Sequence, residues 1–324
     1  MRQDRHADKG YGERKGEKRG EKMRETITAR LLQFERDTGA TVILAVESGS
    51  RGWGFSSSDS DFDIRFIYKY PVKRYLNLQK PPNDVCWTEG ELDFAGCDIY
   101  KFYDLLGKSN MNFMDYLWSD IIYIDKMVHK EELKNLVEGC FNRRTYSAHN
   151  YGLAKKNIVR YFNAQTPDEP TVKRYVYCIR AILSAGYCER NNTIAPLKFD
   201  DLLQQSLHEP ELSEMRAMVE LKKNTKEKQV YDNPKWKKFI EDSLKNKIDA
   251  QPSDNTQFLD YLKLLNSNLQ LQHYGAAKTR TLWCSTHNNS VEVDEDGNIS
   301  CPFNMEIPER GAFPEKCDIR FKEV

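Results

Sequence analysis

Two strand-forming runs, residues 41–46 and 64–68, are separated by a break of small residues and acids, and this break limits what the chain can fold into. The first run is aliphatic and β-branched throughout, as suits a buried strand. The approach to the second carries acids at alternate positions. Side chains alternate faces along a strand, so Asp61, Asp63 and Arg65 project to one side while Phe62, Ile64 and Phe66 pack the other. Like charges that close raise each other's pKa, and the pairing becomes favourable when a cation sits between them. Oxygen donors suit a hard ion, so magnesium or manganese is the expected partner. The competing reading is a pair of solvated turn acids, because Asp and Ser are enriched in turns.

A third acid is expected nearby. Asp93 lies between Leu92 and Phe94, where an antiparallel neighbour would bring it opposite the pair and supply three oxygen-donor side chains for two cations. Asp98 competes for that place, but it precedes Ile99, Phe102, Leu105 and Leu106 at helical spacing, which suits a helix N-cap. Arg65 shares the acidic strand face, and two readings stay open: a salt bridge that neutralises the acids, or a phosphate contact. Gly49-Ser50-Arg51 closes the first strand. Glycine lets the backbone approach an anion, Ser50 adds a hydroxyl, and residues 52–55 are expected to open a short helix with free N–H groups. An ordinary turn has the same composition.

Around this centre, residues 25–36 predict an amphipathic helix with Ile27, Leu31, Leu32 and Phe34 inward, stopped by Thr38-Gly39. Residues 1–22 mix Lys, Arg, Glu and Gly and are expected to be a disordered, mildly basic arm. Its Lys9, Arg14, Lys15, Lys18 and Arg19 suit a phosphate backbone or a purely solubilising role. Residues 69–90 read as a loop, and residues 92–94 as a short strand. From about residue 130 to 274 apolar residues recur at three and four, as in Tyr175, Ile179, Ile182 and Leu183, which predicts helices without strands. Residues 290–299 alternate around Asp294-Glu295-Asp296-Gly297-Asn298, a hairpin signal. The expected organisation is an arm over 1–22, a catalytic domain over 23–127, a helical domain over 128–273 and an extension over 274–324.

Lys plus Arg and Asp plus Glu both total 49, so any basic surface must be local. The apolar runs are too short to span a bilayer, and the mean hydropathy is -0.74. Eight irregularly spaced cysteines and a first segment without an apolar core suggest free thiols in a reducing, cytoplasmic setting. Cys284, His287, Cys301 and Cys317 offer a set of structural zinc ligands, with buried free thiols as the other reading.

The order of strand, Gly49-Ser50, a spacer and Asp61-x-Asp63 resembles the signature of the DNA polymerase beta nucleotidyltransferase superfamily. The stretch ESGSRGWGFSSSDSDFDIRFIY from residue 47, GCDIYK from residue 96, the KSN at residues 108–110 and residues 119–123 resemble more closely the predicted RNA-repair nucleotidyltransferases, the RlaP type. KRYVYCIR, residues 173–180, is similar to a basic helix stretch of that family.

The resemblance together with the periodicities above implies an α+β fold: a small mixed-sheet polymerase beta-like catalytic domain and an all-helical domain, to which the hairpin signal adds a short β-containing appendix. It implies two Mg²⁺ or Mn²⁺ ions on Asp61, Asp63 and Asp93, and an NTP whose phosphates meet Gly49, Ser50, Arg51 and Arg65. Lys173 and Arg180 would face the nucleotide or its acceptor. The implied reaction moves an NMP from the NTP to a hydroxyl, an RNA 3′ end foremost, with a protein or small-molecule hydroxyl as alternative. A non-catalytic RNA-binding or toxin-antitoxin partner on the same fold is the third possibility. Asp115 stands where the family usually has Glu, and the tail beyond Tyr274 has no counterpart.

Overall fold

The computed structural model describes residues 9–161, 170–224, 230–245, 258–270, 280–284, 289–293, 299–300 and 319–320; residues 9–19, 161, 258–262, 270 and those beyond 279 are described by backbone alone. The chain divides into two units, Met1–Leu269 and Gln270–Val324.

In the first unit β1 (Thr41–Glu47), β2 (Phe62–Lys69), β3 (Asp84–Glu89), β4 (Leu92–Asp98) and β5 (Ile122–Asp125) form a mixed sheet in the order β3-β4-β2-β1-β5. Every residue of β1 is buried, because strands flank it on both edges and helices cover both faces. β1 runs antiparallel to β2 and β5. Contrary to the antiparallel expectation for Asp93, β4 runs parallel to β2, with Asp63 opposite Asp93 in register. The reason lies in the connection. A parallel pair needs a crossover, and the segment expected as a loop supplies it through a helical turn, Val72–Tyr75, and β3, which turns back antiparallel into β4 at Gly90. β3 escapes sequence reading because it is a largely exposed edge strand without a buried run.

One face of the sheet is covered by α1 (Lys9–Thr38). Ile27 and Leu31, four apart, are fully buried there. Phe34 meets Phe66 and Tyr68 edge-on at 5.3 and 5.4 Å and stacks on Trp87 at 5.9 Å. Gly39, at φ +69°, ends the helix by donating its N–H to Glu35 O at 2.9 Å. α1 reaches back to Lys9, into the stretch expected as an arm, where Lys, Arg and Glu favour helix. Gly96 is required for a close approach between strands: a Cβ there would lie 2.4 Å from the Phe66 ring.

With the turns Gly49–Gly52 and Val72–Tyr75 counted as α2 and α3, the other face carries α4 (Ile99–Gly107) and α5 (Met111–Trp118). Asp98 caps α4 as expected, its Oδ1 accepting the Tyr100 N–H at 2.9 Å and its Oδ2 the Tyr75 hydroxyl at 2.6 Å. The helices α6 (Lys130–Cys140), α7 (Arg143–Tyr161), α8 (Val172–Asn191), α9 (Phe199–Ser206), α10 (Glu211–Asn224), α11 (Pro234–Lys245) and α12 (Phe258–Gln270) follow, with α7, α9, α10 and α11 packed around α8. A single core runs from Ile43, Leu44 and Ile67 of the sheet through Phe102 to Tyr175, Ile179 and Trp236. Each such side chain contributes roughly 1.5–3 kcal/mol when buried, against about 0–1 kcal/mol for an exposed ion pair, so this shared core binds the helical layer to the sheet. Lys69, at the end of β2, donates to the Asn268 and Leu269 carbonyls of α12 at 3.0 and 2.9 Å.

The second unit contains β6 (Arg280–Cys284), β7 (Asn289–Val293), β8 (Ile299–Ser300) and β9 (Ile319–Arg320) in the order β8-β7-β6-β9. β7 and β8 pair antiparallel around the expected hairpin. His287, Cys301 and Cys317 of the zinc expectation lie outside the described residues, and Cys284 ends β6 with backbone alone described. Among the described residues no helix is long and apolar enough to cross a membrane.

Two measurements test this packing. Gly96→Ala should lower stability by roughly 1–3 kcal/mol through overpacking against Phe66, read as a shifted urea midpoint; an unchanged midpoint contradicts the close approach. Burial lowers the Lys69 ammonium from its ordinary 10.5 to about 8. Between those values the unfolded chain keeps a proton that the folded chain has released, so stability rises with pH across that window. Thermal melts from pH 8 to 10.5 should therefore show the wild type gaining Tm relative to Lys69→Met, and parallel curves would refute the buried placement.

Candidate active site

The end of β1 and the start of β2 are tied together before any ligand is considered. Ser48 N–H donates to Asp63 O at 2.9 Å, and Asp63 N–H donates to the Glu47 carboxylate at 2.8 Å. Glu47 is buried, which pushes its carboxyl up to about 7, while the Tyr123 hydroxyl and the Asp63 amide donate to it and oppose that rise. The chain then enters α2 (Gly49–Gly52), a single helical turn that starts directly at the strand end rather than at residues 52–55. Gly49 adopts φ +59°, and a Cβ there would sit 2.0 Å from Asp63 Oδ2. The carboxylate therefore rests on the glycine, and the two motifs, far apart in sequence, share one spot.

Arg65 decides the electrostatics of the acids. Its Nη2 lies 3.0 Å from Asp63 Oδ1 and 2.9 Å from Asp93 Oδ2, and its Nη1 donates to Asp93 O at 3.1 Å. Burial raises the Asp63 carboxyl above the ordinary carboxylate range; Arg65 opposes this and Asp93 adds to it. Of the two readings of Arg65, the ion pair is the one the structure contains.

A cavity of about 450 Å³ opens over these groups. Of the expected residues, Gly49, Ser50, Asp61, Asp63, Arg65 and Lys173 line it. Arg51 does not: its guanidinium braces the loop from behind, donating to Ser60 O at 2.6 Å and Asp61 O at 3.1 Å and stacking 3.8 Å over Phe62. Arg180 does not line it either. It is 4% exposed, two helical turns beyond Lys173, with Nη2 3.2 Å from Asp115 Oδ2 and its guanidinium 3.9 Å over the Trp53 ring. The Trp53 indole N–H donates to the same Asp115 oxygen at 3.1 Å. Burial raises the Asp115 carboxyl, while Arg180 and Trp53 oppose the rise.

The walls also hold Trp53, Asn112, Asp115, Tyr116, Arg174 and Tyr177, which the sequence reading did not select. Tyr177 had a signal, since it stands four residues after Lys173 on the same helix face, and the Lys173 ammonium lies 5.9 Å over its ring.

The loop between the two motifs is clamped by the helical layer. Buried Lys222 of α10 donates to the Ser57 and Ser60 hydroxyls at 3.3 and 3.0 Å. Ser60 Oγ also accepts the Ser57 N–H at 3.0 Å, so both its lone pairs are used and its proton must go to Ser57 Oγ, 2.8 Å away. Lys198 donates to Gly52 O at 3.0 Å, and Phe199 N–H to Trp53 O at 2.9 Å.

Asp61 and Asp63 line the cavity, and two carboxylates are a donor set that fits one hard cation completed by phosphate and water. Asp93 is not a cavity wall, and its Oδ2 is held by Arg65. Among the described residues no group of three His, Cys, Asp or Glu side chains is placed to hold a metal ion. The acids that line the cavity are therefore a pair, Asp61 and Asp63, and Arg65 holds one oxygen each of Asp63 and Asp93.

Gly49→Ala should abolish Mg²⁺-dependent NTP binding and cost roughly 1–2 kcal/mol of stability, since a side chain is forced into left-handed backbone. Gly90→Ala is the control: it shares the positive φ, +58°, but nothing lies within 4 Å of its Cβ position. Calorimetry showing equal nucleotide binding in the two variants would contradict the contact between Gly49 and Asp63.

Comparison with known proteins adds a family to this geometry. The chain is 33% identical over 213 residues to the uncharacterized protein YcgL of Bacillus subtilis (strain 168), covering 63% of this chain and 78% of that protein. A crystal structure of a nucleotidyltransferase-like protein from Exiguobacterium sibiricum 255-15 aligns over 76% of this chain and 75% of its own, at 11% identity and a TM-score of 0.26. Residues 23–268, from within α1 to α12, match the family described as RlaP, RNA repair pathway DNA polymerase beta family. The chain belongs to that polymerase beta-like nucleotidyltransferase family.

Proposed function

We propose that the chain transfers an NMP from an NTP to a hydroxyl acceptor, with an RNA 3′ end as the acceptor. The observation that carries this reading is the contact of Asp63 Oδ2 with the Gly49 position inside a cavity that also holds Asp61, Ser50 and Lys173. It joins an acid pair, a turn open to phosphates and a cation in one space, as transfer from a triphosphate requires.

Asp61 and Asp63 would hold Mg²⁺ or Mn²⁺, which when bound supplies charge neutralisation at the triphosphate and lowers the barrier to in-line displacement. Gly49 and Ser50 seat the phosphates at the first turn of α2, where the backbone is bare at Gly49 and Ser50 adds a hydroxyl. Lys173 and Arg174 contribute positive charge from α8, and the rings of Trp53 and Tyr177 offer flat surfaces for the base. The acceptor hydroxyl oxygen bonds to the α-phosphorus as the bond to the β-phosphate oxygen breaks, and pyrophosphate leaves. Arg65, drawn to the phosphates, releases Asp93 Oδ2, which takes the acceptor proton.

Incubation with labelled NTP, Mg²⁺ and RNA should label or extend the RNA, and Asp63→Ala should reduce the signal to background. Asp98→Asn should retain activity, because that carboxylate caps α4. Label on protein with RNA untouched would exclude the RNA acceptor, and full activity of Asp63→Ala would exclude the mechanism.

A further inference from the structure

The charge of this neutral chain is unevenly spread, and α7 is where the imbalance is largest. Its sequence, RRTYSAHNYGLAKKNIVRY, contains no Asp or Glu. At 100° per residue, Arg144, Lys155, Lys156 and Arg160 fall on one side, together with His149, Gly152 and Val159, and all of these are exposed. The opposite side, with Tyr146, Ser147, Asn150 and Ala154, is buried against α8. Among the described residues Arg144, Lys155 and Lys156 form no ion pair, although exposed Lys and Arg elsewhere on the chain pair repeatedly within their own helices, as in Lys238 with Asp242.

The direction of this face matters. Ser147 Oγ bonds Ala185 O at 3.4 Å and Cys178 Sγ bonds Ala154 O at 3.8 Å, so α7 and α8 run antiparallel with Lys156 level with Val176 and Arg160 level with Val172. The basic face thus leads to the first turns of α8, whose Lys173, Arg174 and Tyr177 form the cavity wall. From Arg144 to Arg160 it extends about 24 Å at 1.5 Å per residue, the length of several phosphates of a strand.

We propose that the exposed face of α7 is the docking surface for the phosphodiester backbone of the RNA acceptor, leading its end toward the nucleotide cavity. This rests on the RNA-acceptor reading above. The ligand is a polyanion in water rather than a membrane, because the face offers only Val159 as an exposed apolar side chain and has nothing to insert into lipid.

The test is binding without turnover, by fluorescence anisotropy of a labelled single-stranded RNA with full-length protein over a series of salt concentrations. Replacing Arg144, Lys155 and Lys156 by Gln should weaken binding and lower the slope of log K against log salt by about 2, given about 0.7 per neutralised phosphate for single strands. Arg144→Lys with Lys155→Arg and Lys156→Arg should retain the slope, and Tm and Mg²⁺-dependent NTP affinity should be unchanged in both variants. An unchanged slope in the Gln variant overturns the proposal. So does wild-type protein that ignores RNA at low salt, or that prefers anionic phosphatidylserine vesicles. These failures would leave NMP transfer standing as chemistry, since NTP binding and labelling of another acceptor are read separately.

Discussion

The bridge from Arg65 to Asp63 and Asp93 is the constraint on which the rest of the site depends. Parallel pairing of β2 with β4 places Asp63 directly beside Asp93, and Asp61, one residue before β2 begins, lines the same cavity as Asp63. Partly buried acids at such spacing would repel each other and take up protons. One guanidinium, within 3.0 Å of both carboxylates, compensates the repulsion and keeps them in one place. Under the proposed function it also sets up a simple exchange, because triphosphate and carboxylate are alternative partners for the same planar donor. In the proposed reaction, partial charge compensation of the free site and readiness for a polyanionic substrate then come from a single residue.

Around that bridge the helical layer works as a brace. The loop joining Gly49 to Asp61 has no regular structure after its first turn, yet Lys222, Lys198, Phe199 and the stack of Arg180 on Trp53 hold it from the helical side. Arg51 holds it from the sheet side. Since sheet and helices share one hydrophobic core, displacement of α8 or α10 would be felt at the acids. The helical layer thus helps to set the geometry of the candidate site even where its residues never reach the cavity.

The strand alternation at Asp63 and Arg65, the cap at Asp98, the helical character beyond residue 130 and the glycine turn were readable from sequence, because each follows from a local period or a local steric need, whereas Asp61 precedes the strand it was expected to share. The parallel course of β4 was not, since it depends on β3, an exposed edge strand whose pairing is a tertiary fact. Arg180 shows the same limit. A basic residue on a helix predicts a charge on a face, but only the packing of Trp53 and Asp115 against that face shows that its guanidinium lies beneath the cavity wall. Lys222 gave no signal, being one of a run of lysines at the end of a helix, distant in sequence from the serines it orders.

The most direct measurement is the anomalous scattering of Mn²⁺ in crystals soaked with a non-hydrolysable NTP. A manganese peak contacting the carboxylates of Asp61 and Asp63, with the phosphates over Gly49 and Ser50 and Arg65 turned toward them, is the predicted outcome. Nucleotide bound elsewhere, or manganese absent from these two acids while Arg65 still spans Asp63 and Asp93, would contradict the account.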